Sequence, residues 1–157
     1  MRRIIWIVGI LVVAFLVVMQ FRQPDYNLSA PSANATFAAL HQPDPDIQNT
    51  LQRSCYNCHS TQGKIPWYGM VWPTSQLLQN DVRQGRAMLD FSNWDNLSPE
   101  MARIRLLSSC RSMREGKMPL WYYRPLHPGT APTPGEIDAF CAWAQALPTE
   151  PNTAQLR

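Results

Sequence analysis

Five consecutive residues, Cys55-Tyr56-Asn57-Cys58-His59, constrain this chain more than any other stretch. Two thiols three positions apart, followed directly by an imidazole, project from little more than one helical turn. The arrangement suits a large flat ring stitched on through two sulfurs while a nitrogen reaches its metal, and Cys-x-x-Cys-His is the attachment signature of c-type haem. A fold built around such a ring needs elements that close over both of its faces. Zinc would need further ligands at short spacing, whereas Cys110 and Cys141 stand far apart. A thioredoxin-like dithiol follows a strand, and the residues before Cys55 read as helix.

The N-terminus supplies the second constraint. Met1-Arg2-Arg3 is followed by an apolar run from Ile4 to Phe21 broken only by Gln20, long enough to span a bilayer. A cleaved export signal has a shorter apolar core and a small-residue site just beyond it, which Phe21-Arg22-Gln23-Pro24-Asp25 does not offer, and Ala33-Asn34-Ala35 lies too far downstream. Residues 1–21 therefore read as an uncleaved transmembrane anchor, with cleavage as the alternative. Arg2 and Arg3 hold its start in the cytoplasm, so everything after Phe21 is exported. Removing these two from the 14 Lys and Arg leaves 12 basic against 11 acidic side chains. That balance predicts no nucleic-acid partner.

Residues 22–43 are rich in Pro, Ala, Asn and Ser without periodicity, as in a flexible tether. From residue 44 to 148 the pattern is helical. Asp44-Pro45 supplies a cap and a first helical position, and Ile47, Leu51 and Cys55 share a face. The stretch from Ser60 to Pro73 has too many Gly and Pro for a regular element and reads as a loop carrying Trp67, Tyr68 and Trp72. Thr74 begins a helix with Leu77, Leu78, Val82, Met88 and Leu89 inward, weakened late by Gly85. Ser98-Pro99-Glu100 starts another, with Met101, Ile104, Leu107 and Cys110 or Arg111 inward and Gly116 as its stop. Thr133-Pro134-Gly135-Glu136 is a capping box opening a last helix with Ile137, Phe140, Cys141, Ala144 and Leu147 buried. Residues 149–157 are a tail. No run alternates with period two, so the expected class is all-α, and the single pentapeptide predicts one haem.

Beyond the pentapeptide, Ile65-Pro66-Trp67-Tyr68, Trp72-Pro73-Thr74-Ser75, Gly85-Arg86, Phe91-Ser92 with Trp94, Lys117-Met118-Pro119, Tyr123, Leu126-His127-Pro128 and the helix from Glu136 to Trp143 follow one another in a characteristic order. On these residues the chain resembles the family of single-haem, cytochrome c-like haem-binding domains found behind bacterial export signals or anchors. The resemblance covers roughly Asp44 to Leu147 and implies a compact helical fold around haem c. One departure is Leu120, where a second proline commonly follows the Met-Pro pair.

His59 is expected to be the proximal iron ligand. By its likeness to the distal loop of small c-type cytochromes, Gly116-Lys117-Met118-Pro119 makes Met118 the first choice for the opposite face. His127 is the alternative distal ligand, and His41 lies in the tether. The Pro66 carbonyl is a candidate to accept the Nδ1 proton of His59, and Arg86, Trp67, Tyr68 and Trp94 are candidates for the propionates and the porphyrin edge. Cys110 and Cys141 fall on the inner sides of the last two helices, where export permits a disulfide; two buried thiols are the alternative. The expected function is one-electron transfer by a carrier rather than a catalyst, on the periplasmic side of a bacterial inner membrane and with redox proteins as partners. A haem peroxidase or gas or redox sensor with an open sixth iron position is the alternative, and a thiol-disulfide oxidoreductase using Cys55 and Cys58 is a third class.

Overall fold

A computed structural model describes residues 1–31 and 36–148 of the chain; the expected tail, the Ala33-Asn34-Ala35 stretch and Ser32 lie outside the described residues. Among the described residues every regular element is helical: α1 (Arg2–Gln20), α2 (Phe37–His41), α3 (Pro45–Ser54), α4 (Tyr56–His59), α5 (Thr74–Met88), α6 (Pro99–Arg114) and α7 (Pro134–Ala146), with short 3-10 turns between them. The helical class expected from the sequence is what forms. α1 is long and apolar enough to cross a membrane, and no residue of it is fully buried.

The helix starts follow the local chemistry. Asp44 accepts from the Asp46 N–H at 3.0 Å, Ser98 from that of Met101 at 3.2 Å, and Thr133 and Glu136 satisfy each other's orphan donors in a reciprocal box. Each cap is followed by a proline, whose missing N–H removes a donor the first turn could not have satisfied. Such caps contribute about 0.5–2 kcal/mol each.

α6 packs along α7, and α3 and α4 close the bundle against α7 and α5. Their shared core holds Leu51, Phe91, Trp94, Leu106, Phe140 and Cys141. The Cys110 and Cys141 sulfurs are joined as a disulfide between α6 and α7. An aromatic cluster fastens the connecting segments: Phe91 and Trp94 lie parallel at 5.7 Å, and Phe37 meets them edge-on at 5.1 and 4.8 Å. Each such pair is worth about 0.5–1.5 kcal/mol beyond the area it buries.

Three expectations need correction. Residues 22–43 are not simply a tether, because two aromatics in them are fixed. Tyr26 is buried and its hydroxyl donates to the carbonyls of Gly69 at 2.6 Å and Ser75 at 3.2 Å, while Phe37 is 0% exposed at the start of α2. Single aromatic anchors leave no periodic trace in a sequence. On α6 the buried stripe is Ala102, Leu106, Cys110 and Met113, whereas Met101 and Ile104 are exposed to a cavity. On α5, Leu78, Val82 and Gly85 face inward and Leu77 and Met88 do not.

Candidate functional site

α4 is one turn long and consists of the pentapeptide's last four residues. Its two variable positions are structural. The Tyr56 ring stacks on Phe91 at 5.0 Å, and Asn57 binds in two directions, donating to the Tyr123 hydroxyl and accepting from the Lys64 N–H, both at 3.0 Å. Gly63 lies so close beneath this turn that a Cβ there would fall 2.4 Å from the Asn57 carbonyl oxygen. Gly85 approaches less closely from α5: a Cβ would sit 3.2 Å from the Cys58 carbonyl oxygen and 3.4 Å from His59 Cε1, so these neighbours would have to give by only a few tenths of an ångström. The absence of a side chain at 85, expected to weaken the helix, lets α5 lie against the imidazole without a tight contact.

His59 is held from behind. Its Nδ1 lies 3.0 Å from the Leu89 carbonyl oxygen, and its own carbonyl accepts from the Phe91 N–H at 2.8 Å. Donation from Nδ1 to a carbonyl leaves Nε2 with its lone pair. Burial pushes the imidazole below its ordinary value of 6.5, partly opposed by the carbonyls of Leu89 and Gly85, so the ring is kept neutral. The expected acceptor, Pro66, is replaced by Leu89. A backbone carbonyl has no sequence signature, and only the close pass of α5 brings this one into range.

Two cavities, of about 440 and 340 Å³, meet at this imidazole. His59, Ser54, Met88, Met118 and Pro119 line both, Cys55 lines the larger and Cys58 the smaller. Both volumes fall in or near the range of small-molecule sites. The larger is walled by Leu51, Leu89, Phe91, Ile104 and Phe140, with Arg105 and serines of α6 along it. Arg105 reaches the carbonyls of Ala87 and Met88 at the end of α5, leaving a cation on the cavity wall. Sequence reasoning missed this residue; its one signal was a place beside Ile104 on the misjudged face of α6.

Met118 reaches the cavities through the end of α6. Gly116 adopts φ +66, its N–H donates to the Met113 carbonyl, and the Lys117 N–H donates to that of Ser112, the paired bonds of a Schellman turn. The Met118 N–H joins Lys117 on the Ser112 carbonyl at 3.3 Å. The chain is thereby swung back so that Met118 shares both cavities with His59. His127 lines neither: its ring stacks on Tyr123 at 3.7 Å, and its Nδ1 lies 3.0 Å from the Tyr123 carbonyl.

The other candidates are used elsewhere. Arg86 donates from Nε to the Ser60 carbonyl at 3.0 Å and from Nη1 to the Tyr26 carbonyl at 2.7 Å, so it fastens loop to loop instead of facing the cavities. Trp94, 2% exposed, gives its indole N–H to His41 Nε2 at 2.7 Å. Trp67 is 80% exposed, and Tyr68 points its hydroxyl toward His127 at 3.4 Å. Cys55 and Cys58 are free thiols. Burial, then the Cys58 charge, pushes Cys55 up to about 12, and burial, then Asp81, pushes Cys58 up to about 11. An attacking dithiol needs the opposite, a stabilised thiolate. What the site offers is a neutral imidazole, a thioether and two neutral thiols around apolar space.

A family model described as a haem-binding domain matches residues 14–146. No curated protein and no solved structure matches the chain significantly.

Proposed function

Because the chain belongs to the haem-binding domain family, we propose that it is a monohaem c-type cytochrome that carries single electrons on the periplasmic side of a bacterial inner membrane. Cys55 and Cys58 form the thioether links, His59 is the proximal ligand and Met118 the distal one. One observation carries this reading: His59 and Met118 wall the same two cavities, with one free thiol on each. The donor set fits the group, since an imidazole with a free Nε2, a thioether and two unpaired sulfurs surround mostly apolar walls.

Bound haem supplies an iron that takes up and gives back one electron. The Leu89 carbonyl fixes the His59 ring and raises its basicity as a ligand. A methionine opposite the imidazole favours the ferrous state and a higher potential than a second imidazole would. Leu51, Leu89, Phe91 and Phe140 would keep water from the ring, and Arg105, on the same cavity wall, would be placed to pair with a propionate carboxylate. Two protein ligands leave no open position, which suits a carrier better than a peroxidase or gas sensor.

α1 is the single-pass anchor, with Arg2 and Arg3 on the cytoplasmic side. Residues 44–148 form the haem domain, and its partners are redox proteins at the same membrane.

The test is to mature the full chain in a host with cytochrome assembly machinery. The expected mass is polypeptide plus one haem, retained after denaturation. Ferrous Met118→Ala binds carbon monoxide at least tenfold more tightly than wild type, and His127→Ala leaves the spectrum unchanged. Colourless protein of polypeptide mass overturns covalent attachment. A spectrum altered by His127→Ala and not by Met118→Ala moves the distal role to His127.

A further inference from the structure

We infer that the loop from Trp67 to Trp72 is a membrane-seated foot, entering the interface of the bilayer that α1 crosses and holding the haem domain against the lipid. The inference rests on the reading of α1 as a membrane span. The 19 residues of α1 make about 28 Å of helix, against a hydrocarbon core of about 30 Å, so almost the whole helix is needed to cross. Phe15, five residues before Gln20, therefore lies about 7 Å inside the exit surface.

The loop comes to that depth. The Trp72 indole meets the Phe15 ring edge-on with centroids 5.6 Å apart. The end of α1 is bonded to the same residue in both directions: the Trp72 N–H donates to Gln20 Oε1 at 3.0 Å, and Gln20 Nε2 donates to the Trp72 carbonyl at 3.2 Å. This explains the one polar residue in the apolar run.

The loop's surface is suited to lipid. Trp67, Met70 and Val71 are 80%, 46% and 42% exposed. Trp67 and Met70 bound a single 3-10 turn, where residues three apart eclipse and share a face. No charged residue occurs between Lys64 and Asp81. Indole rings are favoured at the boundary between acyl chains and headgroups. The occupant is the bilayer and not a second protein because α1 itself brings the loop to lipid depth.

The haem-loaded full chain is placed in phosphatidylcholine nanodiscs with p-benzoylphenylalanine replacing Val71, Val12 in α1, or Trp121, an exposed indole on the loop after Met118. After irradiation, a phospholipid adduct is expected at 71 and at 12, with at least tenfold less at 121. The haem absorption spectrum of each variant reports that the fold is retained. An adduct at 12 without one at 71, equal adducts at 71 and 121, or cross-linking of 71 to a second copy overturns the foot and leaves the anchor standing. Absence of an adduct at 12 removes the anchor and the foot together.

Discussion

Opening the Cys110–Cys141 bridge should destabilise the domain by about 3.5–4 kcal/mol. The cysteines are 31 residues apart, and the chain-entropy relation for a loop of that length gives about 12 cal/mol/K, or about 3.7 kcal/mol at 25 °C. At an unfolding entropy of about 2.1 cal/mol/K per residue, a domain of about 100 residues should melt roughly 15–20 °C lower. Two routes separate the crosslink from the packing. Phosphine reduction of wild type keeps both sulfurs in place and spares thioethers, whereas Cys110→Ala with Cys141→Ala also empties two buried positions. Melting followed by circular dichroism should show the full drop on reduction and a slightly larger one for the double variant. The bridged loop carries Met118, the proposed distal ligand, so on that proposal it should detach from the iron of the reduced protein before the helices melt, visible as an earlier change in the haem spectrum. A reduced wild type that melts within about 5 °C of the oxidised one would refute the reasoning. The unfolded chain would then already be closed by other contacts, and loop entropy could not be the source of stability.

Gly63→Ala places a methyl group 2.4 Å from a main-chain oxygen in the pentapeptide; a loss of about 2–4 kcal/mol in denaturant titrations is expected, and an unchanged midpoint would show that the loop does not pack there. Glu136 is held below its ordinary value of 4.5, first by the Thr133 N–H and then by Arg53. A depressed carboxylate stabilises the fold above its unfolded pKa and stops doing so as pH falls through the folded one. Wild type should therefore exceed Glu136→Gln in melting temperature near neutral pH, and the difference should close below about pH 4.5.

Helix starts were legible because capping is local chemistry: Asp44, Ser98 and Thr133 each satisfy a donor two or three residues on. The pentapeptide was legible for the same reason. Faces were harder. Met101 and Ile104 look like core residues because they are apolar at helical spacing, yet they face a cavity while Ala102 and Leu106 meet the protein. A sequence records that a side chain avoids water and not which apolar surface it finds instead. Arg86, read as a charge for the cavity, is spent on main-chain carbonyls of Ser60 and Tyr26. Tyr26, Phe37 and the Leu89 carbonyl were invisible because each acts once, at long range, without a repeating pattern.

The bond from His59 Nδ1 ends on main chain, and this shapes how the centre can be tuned over generations. An acceptor carboxylate could be gained or lost by a single codon change. A peptide oxygen persists whatever side chain its own residue carries, so mutation can remove or weaken this one hydrogen bond only by shifting the path of the polypeptide itself.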